Sequence, residues 1–380
     1  MRLGDICSKI GSGATPRGGK EAYSASGIPI IRSQNVLDWS FSSNGLAYLN
    51  DEQARTLSNV EVHQGDILLN ITGDSVARAC IVPSDVIPAR VNQHVAILRP
   101  KEKANATFIL AWLQTNKDLL LKLASSGATR NALTKRMLER LDINLPSIDI
   151  QNHIAALISL IQSKINLNIK LNGYLLELAT TRFEQALFKS NRVVRLGDIV
   201  KLEDSKRVPL NSRDRDARKG PYPYYGATSI MDYVDDYLFD GIRVLLGEDG
   251  SVIDESGRPI LQYVWGKYWV NNHAHILAAA SDYSLEAIYI ALQRTPISHI
   301  VTGAVQRKIS QRNLNKLKLE MPDAKSLEYL QDIFAAYRCN CEENRGLVSL
   351  RDALLPKLMS GEIDVSKIDV AQLNSHLAEY

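Results

Sequence analysis

This sequence carries little that would support covalent, redox or metal chemistry. Its four cysteines, Cys7, Cys80, Cys339 and Cys341, fit neither a disulfide framework nor a zinc site, because a single residue separates Cys339 from Cys341 where a zinc knuckle needs two. Reduced thiols and a cytoplasmic location are therefore expected. No apolar run approaches the ~18 residues of a membrane span, and the opening Met1-Arg2-Leu3-Gly4-Asp5-Ile6 has no apolar signal segment, so no membrane is expected as a partner. A strong charge bias is also missing: Lys+Arg 45 against Asp+Glu 42 leaves +3, so any basic surface must be local.

Nucleotide and catalytic signatures are missing as well. There is no phosphate-binding loop, no Gly-x-Gly-x-x-Gly after a strand and no Asn-Pro-Pro-Tyr-like methyltransferase motif. Asp66, Asp74, Glu248 and Asp249 lie near loops but form no lysine-bearing cluster that recurs along the chain, which argues against a nuclease. His273 and His275 share one face of an alternating strand without a third ligand in view, so a structural role is favoured over a metal site. Gly11-Ser12-Gly13 reads as a turn. No cofactor is expected.

What the chain does contain is itself, twice. Gly127 to Pro146 reappears as Gly303 to Pro322 at a constant offset of 176 residues, and Arg2-Leu3-Gly4-Asp5-Ile6 reappears as Arg195-Leu196-Gly197-Asp198-Ile199. Val91-Asn92-Gln93-His94 is echoed by Val270-Asn271-Asn272-His273 at an offset of 179, so loops between these anchors change length while the framework is kept.

Residues 1–146 form a first domain. Short strands such as Ile28-Pro29-Ile30-Ile31, Asp66-Ile67-Leu68-Leu69 and His94-Val95-Ala96-Ile97-Leu98 are punctuated by Gly, Pro, Asn and Asp, which predicts a mixed or antiparallel sheet with long polar loops. Apolar positions from Phe108 to Leu123 predict one helix over 106–123. Thr134, and Ser310 in the second copy, are placed to cap a short helix, and 142–145 reads as a closing strand. Over 147–190, positions 154, 158, 161, 165, 169, 172, 176, 179, 183 and 187 step by threes and fours, as in a coiled-coil helix. The second domain occupies 191–322, a second long helix 323–365 and a tail 366–380. Asn172 and Asn344 take equivalent seam positions, where a polar residue sets the register of a helix pair. The fold class expected is α+β: two α/β domains separated by an antiparallel coiled coil of two long helices, with a pseudo-twofold internal repeat.

Several polar loops combine the side chains that read base edges bidentately. Thr15, Arg17 and Lys20 lie in one, Arg32, Gln34 and Asn35 in another, Thr72 in a third, and Arg90, Asn92 and Gln93 in a fourth; Asn271 and Asn272 are the echo of the last in the second domain. Loops of this composition are also common on proteins that bind no DNA. Thr129, Arg130 and Asn131 with Lys135 and Arg136, matched by Gln306, Arg307 and Lys308 with Arg312, set basic side chains beside a helix start, an arrangement suited to phosphate. Tyr222, Tyr224 and Tyr225 form an aromatic stretch that either presses on DNA or packs as a strand.

Taken together, Arg2-Leu3-Gly4-Asp5-Ile6, Gly13-Ala14-Thr15-Pro16, Gly65-Asp66-Ile67-Leu68, Asn92-Gln93-His94, the duplicated Gly127-to-Pro146 segment and the closing Leu350-to-Ile363 stretch resemble the specificity subunit of type I restriction-modification systems. The resemblance covers essentially the whole chain. It implies a non-catalytic subunit whose two target-recognition domains each read half of a bipartite double-stranded DNA sequence. It also implies helices that dock methyltransferase subunits, two per chain, and through them restriction subunits. One departure is that the second copy has Lys206-Arg207-Val208-Pro209 where the first has Gly13-Ala14-Thr15-Pro16. A scaffold whose sheet domains bind proteins is the alternative; a duplicated enzyme is disfavoured because no acid, base and nucleophile set occurs in both copies.

Overall fold

The computed structural model describes residues 1–16, 22–125, 131–303 and 307–367. The chain divides into two units, Met1–Leu167 together with the chain from Glu343 on, and Asn168–Glu342.

In the first unit one sheet has the strand order Cys7–Ser12, Val95–Pro100, Ile67–Asn70, Ala79–Ile81, with every neighbouring pair antiparallel. A second sheet has the order Ala47–Leu49, Ile28–Ile31, Ala89–Val91, Glu61–Val62, and its central pair is parallel. Alternation along Val95–Pro100 sends Ala96 and Leu98 into a core with Phe108, Leu113 and Ile158, while Val95 and Ile97 enter another core with Ile30, Ile31 and Val91 of the second sheet. The first sheet is thus covered on both faces, by helices and by the second sheet. This is why its strands read as unbroken apolar runs instead of alternating ones.

The second unit repeats this plan strand for strand. One sheet runs Val200–Leu202, Ala274–Ala279, Arg243–Gly247, Leu261–Val264, all antiparallel. The other runs Ile230–Val234, Lys219–Tyr225, Lys267–Val270, Phe239–Asp240, again with a parallel central pair. Val244, Leu246 and Leu277 face the helical core, and Leu245, Ala274 and Ile276 face the second sheet.

A 42-residue helix spans Ile148–Lys189 and a 32-residue helix spans Tyr329–Ser360. In the first unit Ile154 and Ile158 share a core with Leu355 and Leu358, Arg351 Nη1 donates to Gln162 Oε1 at 3.0 Å and Asn344 Nδ2 to the Ile165 carbonyl at 3.3 Å. In the second unit Ala179 and Phe183 pack with Leu327, Leu330 and Phe334. There Asn172 Nδ2 donates to the Tyr337 carbonyl at 3.3 Å, and Asn172 Oδ1 accepts from Asn340 Nδ2 at 2.9 Å. In each unit one helix ascends in number as the other descends, so the helical segments pair antiparallel.

Three expectations need correction. The seam of the central helix passes through Asn168, which is fully buried, and not through Ile169, which is 58% exposed. With Asn168 in the seam, the consecutive four-residue steps fall at 168–172–176, seven residues after the 161–165–169 that the apolar residues suggest. The predicted helix over 106–123 is two, Ala106–Thr115 and Lys117–Ser125, broken at Asn116, whose side chain turns back to the Trp112 carbonyl at 2.8 Å. The closing strand 142–145 is a single bridge, Arg2 to Asp142, while its counterpart Lys318–Met321 pairs fully with Arg192–Arg195.

Candidate nucleic-acid interface

In each unit three turns meet at one end of the first sheet. Two are the turns after strands Ile67–Asn70 and Arg243–Gly247, and two are the Asn-x-His turns leading into Val95–Pro100 and Ala274–Ala279. The third in each unit is the segment before the short capped helix. Their backbone hydrogen bonds correspond one to one. Ile71 N–H donates to the His94 carbonyl at 2.9 Å, Leu133 N–H to Ile71 at 2.8 Å and Gly73 N–H to Asn131 at 3.3 Å. In the second unit Glu248 N–H donates to His273 at 2.8 Å, Ile309 N–H to Glu248 at 2.8 Å and Gly250 N–H to Arg307 at 3.0 Å. Gly73 and Gly250 have φ of 75° and 81°, left-handed values that favour glycine at both turns.

The Asn-x-His turns are closed from within. Asn92 Oδ1 accepts from the His94 N–H at 3.1 Å, and Asn271 Oδ1 from the His273 N–H at 2.8 Å. Gly13 backs the first of these turns, where a Cβ would lie 1.9 Å from the Val91 carbonyl oxygen; the glycine that reads as a simple turn residue is thus required by close backbone approach.

An open cleft of about 790 Å³ in the first unit is lined by Ser33, Gln34, Thr72, Gly73, Asp74, Ser75, Arg78, His94, Asn131 and Ala132. Three predicted contact residues, Gln34, Thr72 and Asn131, therefore come together. Gln93, exposed, lies beside them through its amide, 3.1 Å from His94 Nε2. Lys135 and Arg136 line a different concavity of about 590 Å³ with Arg2 and Arg140. The helix they start is capped by Thr134, whose Oγ1 accepts from Met137 N–H at 3.2 Å, as Ser310 accepts from Asn313 N–H at 3.2 Å in the second unit. Arg136, Arg307, Lys308, Arg312, Asn272 and Thr15 are exposed. Arg17, Lys20, Thr129, Arg130 and Gln306 lie outside the described residues.

The chain matches the family model described as "Type I restriction modification DNA specificity domain" over residues 1–175 and 189–337. The chain belongs to this family. It is a type I restriction-modification specificity subunit, a recognition chain and not a catalyst. A Haemophilus influenzae protein provisionally named as such a subunit is 30% identical over 127 residues, 33% of this chain and 32% of its own length. The chain thus spans about a third of that relative. The type I restriction enzyme MjaIX specificity subunit of Methanocaldococcus jannaschii is 22% identical over 97% of this chain and 94% of its own length. The crystal structure of the M. genitalium type I S subunit has the same fold, with a TM-score of 0.57 at 16% identity, covering 94% of this chain and 95% of that one. No helix among the described residues is long and apolar enough to cross a membrane.

Several residues expected to touch DNA in this specificity subunit are instead part of its frame. Asn35 is fully buried and bonds the Ser42 and Asn44 carbonyls at 2.9 and 3.2 Å. Arg90 is buried against Glu61 at 3.0 Å and the Ala54 carbonyl at 3.0 Å. Asn92 and Asn271 are buried turn closers. Tyr224 is in the core with its hydroxyl accepting from Leu210 N–H at 2.9 Å, and Tyr225 packs on Tyr268 with ring centroids 5.7 Å apart; the packed-strand reading holds for both. Tyr222 is half-buried against Tyr237. Arg32 is half-buried, its guanidinium donating to the Gly45 carbonyl at 2.5 Å. Polar composition cannot separate these from true contacts, since amides and guanidinium groups also satisfy buried loop carbonyls.

Sequence reasoning also missed a network beneath the second unit's turns. His275 is buried, with Nδ1 2.6 Å from Asp204 Oδ2 and Nε2 2.8 Å from the Ile309 carbonyl oxygen. Asp204, Glu248 and His275 bring potential ligand atoms within 4.8 Å of one another, but the Arg207 guanidinium sits 2.6 Å from Glu248 and already balances the carboxylates. His273 and His275 do not act together: His273 turns to Asp249 at 2.6 Å.

Proposed function

We propose that this specificity subunit reads a bipartite double-stranded DNA target, one half per domain, with domains at 1–146 and 191–322 and the long helices as spacers. The observation that carries the reading is the one-to-one duplication of the three-turn constellation, since two equivalent recognition surfaces with divergent loops fit two different half-sites. Asn172 and Asn344 fix the register of the helix pair. The chain docks methyltransferase subunits, two per chain, and through them restriction subunits. Supporting this is an apolar stripe on the central helix, Leu171, Tyr174 and Leu178, between 40% and 66% exposed and spaced on one face away from the seam.

Arg136 and Arg312 are assigned to phosphate. Arg136→Ala or Arg312→Ala is expected to weaken binding to every duplex alike and lower the salt slope of log K by about one unit, measured by titrating labelled duplex at several salt concentrations. A loss confined to one base pair would make the residue a base reader instead.

A further inference from the structure

We propose that the histidine closing the Asn-x-His turn is a specificity-determining residue in each domain, His94 in the first and His273 in the second, with Thr72 or Asp249 fixing how the ring faces DNA. This rests on the DNA-recognition reading above and assigns to it two side chains that the loop composition did not connect with DNA.

The two rings occupy equivalent places by the three backbone hydrogen bonds that join their turns in each unit. In both, Nδ1 lies 2.6 Å from a side chain on the neighbouring turn, Thr72 Oγ1 in the first unit and Asp249 Oδ1 in the second. A carboxylate only accepts, so His273 donates through Nδ1 and its opposite edge points away from Asp249. Its side chain is 45% exposed. Neither ring is needed to close its turn, because the buried Asn92 and Asn271 oxygens and the backbone bonds already do so. Each ring is held in one orientation and spared from closing its turn. His94 lines the cleft with only the exposed Gln93 amide, 3.1 Å away, at its other nitrogen, and the His273 side chain is partly exposed, so each can meet a ligand.

The lining shows which part of DNA it meets. Around His94 the cleft presents Gln34, Thr72, Asp74 and Asn131, with Arg78 the one permanent cation among the described residues that line it. Phosphates call for cations, and these lie in the separate concavity with Arg136. Amides, hydroxyls and a carboxylate match the mixed donors and acceptors of base edges. The domains keep the histidine and change its holder from Thr72 to Asp249 and its neighbour from Gln93 to Asn272. One ring position is thereby adapted to two different half-sites.

The test is methylation mapping, by long-read sequencing, of a host carrying the full chain with its methyltransferase partner. His94→Ala should reduce discrimination roughly ten- to hundredfold at one position of one half-site and leave the other half-site as it was. His273→Ala should do the same in the other half-site alone. Thr72→Val and Asp249→Asn, which keep the ring and alter its holder, should shift the same positions. The untouched half-site is an internal control for folding. A two-part wild-type motif left unchanged by both histidine substitutions overturns the proposal and leaves bipartite recognition standing. Loss of both half-sites together with a lowered melting temperature, in the holder variants as in the histidine ones, overturns it in favour of a structural ring. A wild-type complex that methylates no two-part sequence refutes the underlying reading instead.

Discussion

Inserting one heptad into each long helix is expected to lengthen the recognised spacer by about three base pairs while leaving both half-site sequences unchanged. Seven residues add about 10 Å of helix at ~1.5 Å per residue, and duplex DNA rises ~3.4 Å per base pair. A heptad, and not four residues, is the right increment, because it returns the buried seam to the same face and preserves the pairing of Asn172 with Asn340 and of Asn344 with Ile165. A four-residue insertion would instead rotate Asn172 off the seam and is expected to cost stability before it changes spacing. Methylation mapping reads the outcome directly. An unchanged spacer with altered half-sites would show that the helices do not act as the ruler.

Asp204→Ala is expected to be the most damaging single substitution for the second unit, costing about 3–5 kcal/mol. The carboxylate is buried and accepts from His275 Nδ1 at 2.6 Å, from Ile276 N–H at 2.8 Å and from Gln311 Nε2 at 2.6 Å. Removing it leaves His275 without its acceptor at Nδ1, while Arg207 keeps Glu248 at 2.6 Å, and it frees Gln311, a few residues after the exposed Arg307 and Lys308. Hydrogen exchange in Ala274–Ala279 should speed up strongly, and a rate equal to wild type would contradict this. The same group predicts an acid response. Burial alone would raise the Asp204 carboxyl, but the hydrogen bond and charge of His275, the Ile276 N–H and Arg207 outweigh it and hold the group below the ordinary carboxylate range. Its contribution is therefore present above its unfolded pKa near 4 and lost as pH falls below that value through the folded one. The first unit has Ala96 at the position of His275, so this contribution belongs to the second unit alone.

The architecture was legible because its signals are periodic or repeated. Matching segments at near-constant offsets gave two copies of one domain, and threes-and-fours spacing gave the two long helices and their antiparallel pairing. The finer seam was not legible, since Asn168 and Ile169 differ by one position and an apolar side chain is the natural choice for burial, yet the amide is inside. The site was legible only in outline. Gln34, Thr72 and Asn131 converge on the cleft, whereas Asn35, Arg90 and Asn92, of equally polar character, satisfy carbonyls and carboxylates within the loops. Which amide faces inward depends on turns whose partners are distant in sequence. His94 and Thr72 are 22 residues apart and His275 and Asp204 are 71 apart, separations that no local pattern records.

The central claim, that one chain reads two half-sites at a fixed separation, is tested most directly by mapping DNA methylation in a host that expresses the wild-type chain with its methyltransferase partner. The account predicts two short defined sequences separated by an unspecified spacer of constant length. A single continuous motif, or two half-sites at variable separation, would contradict it.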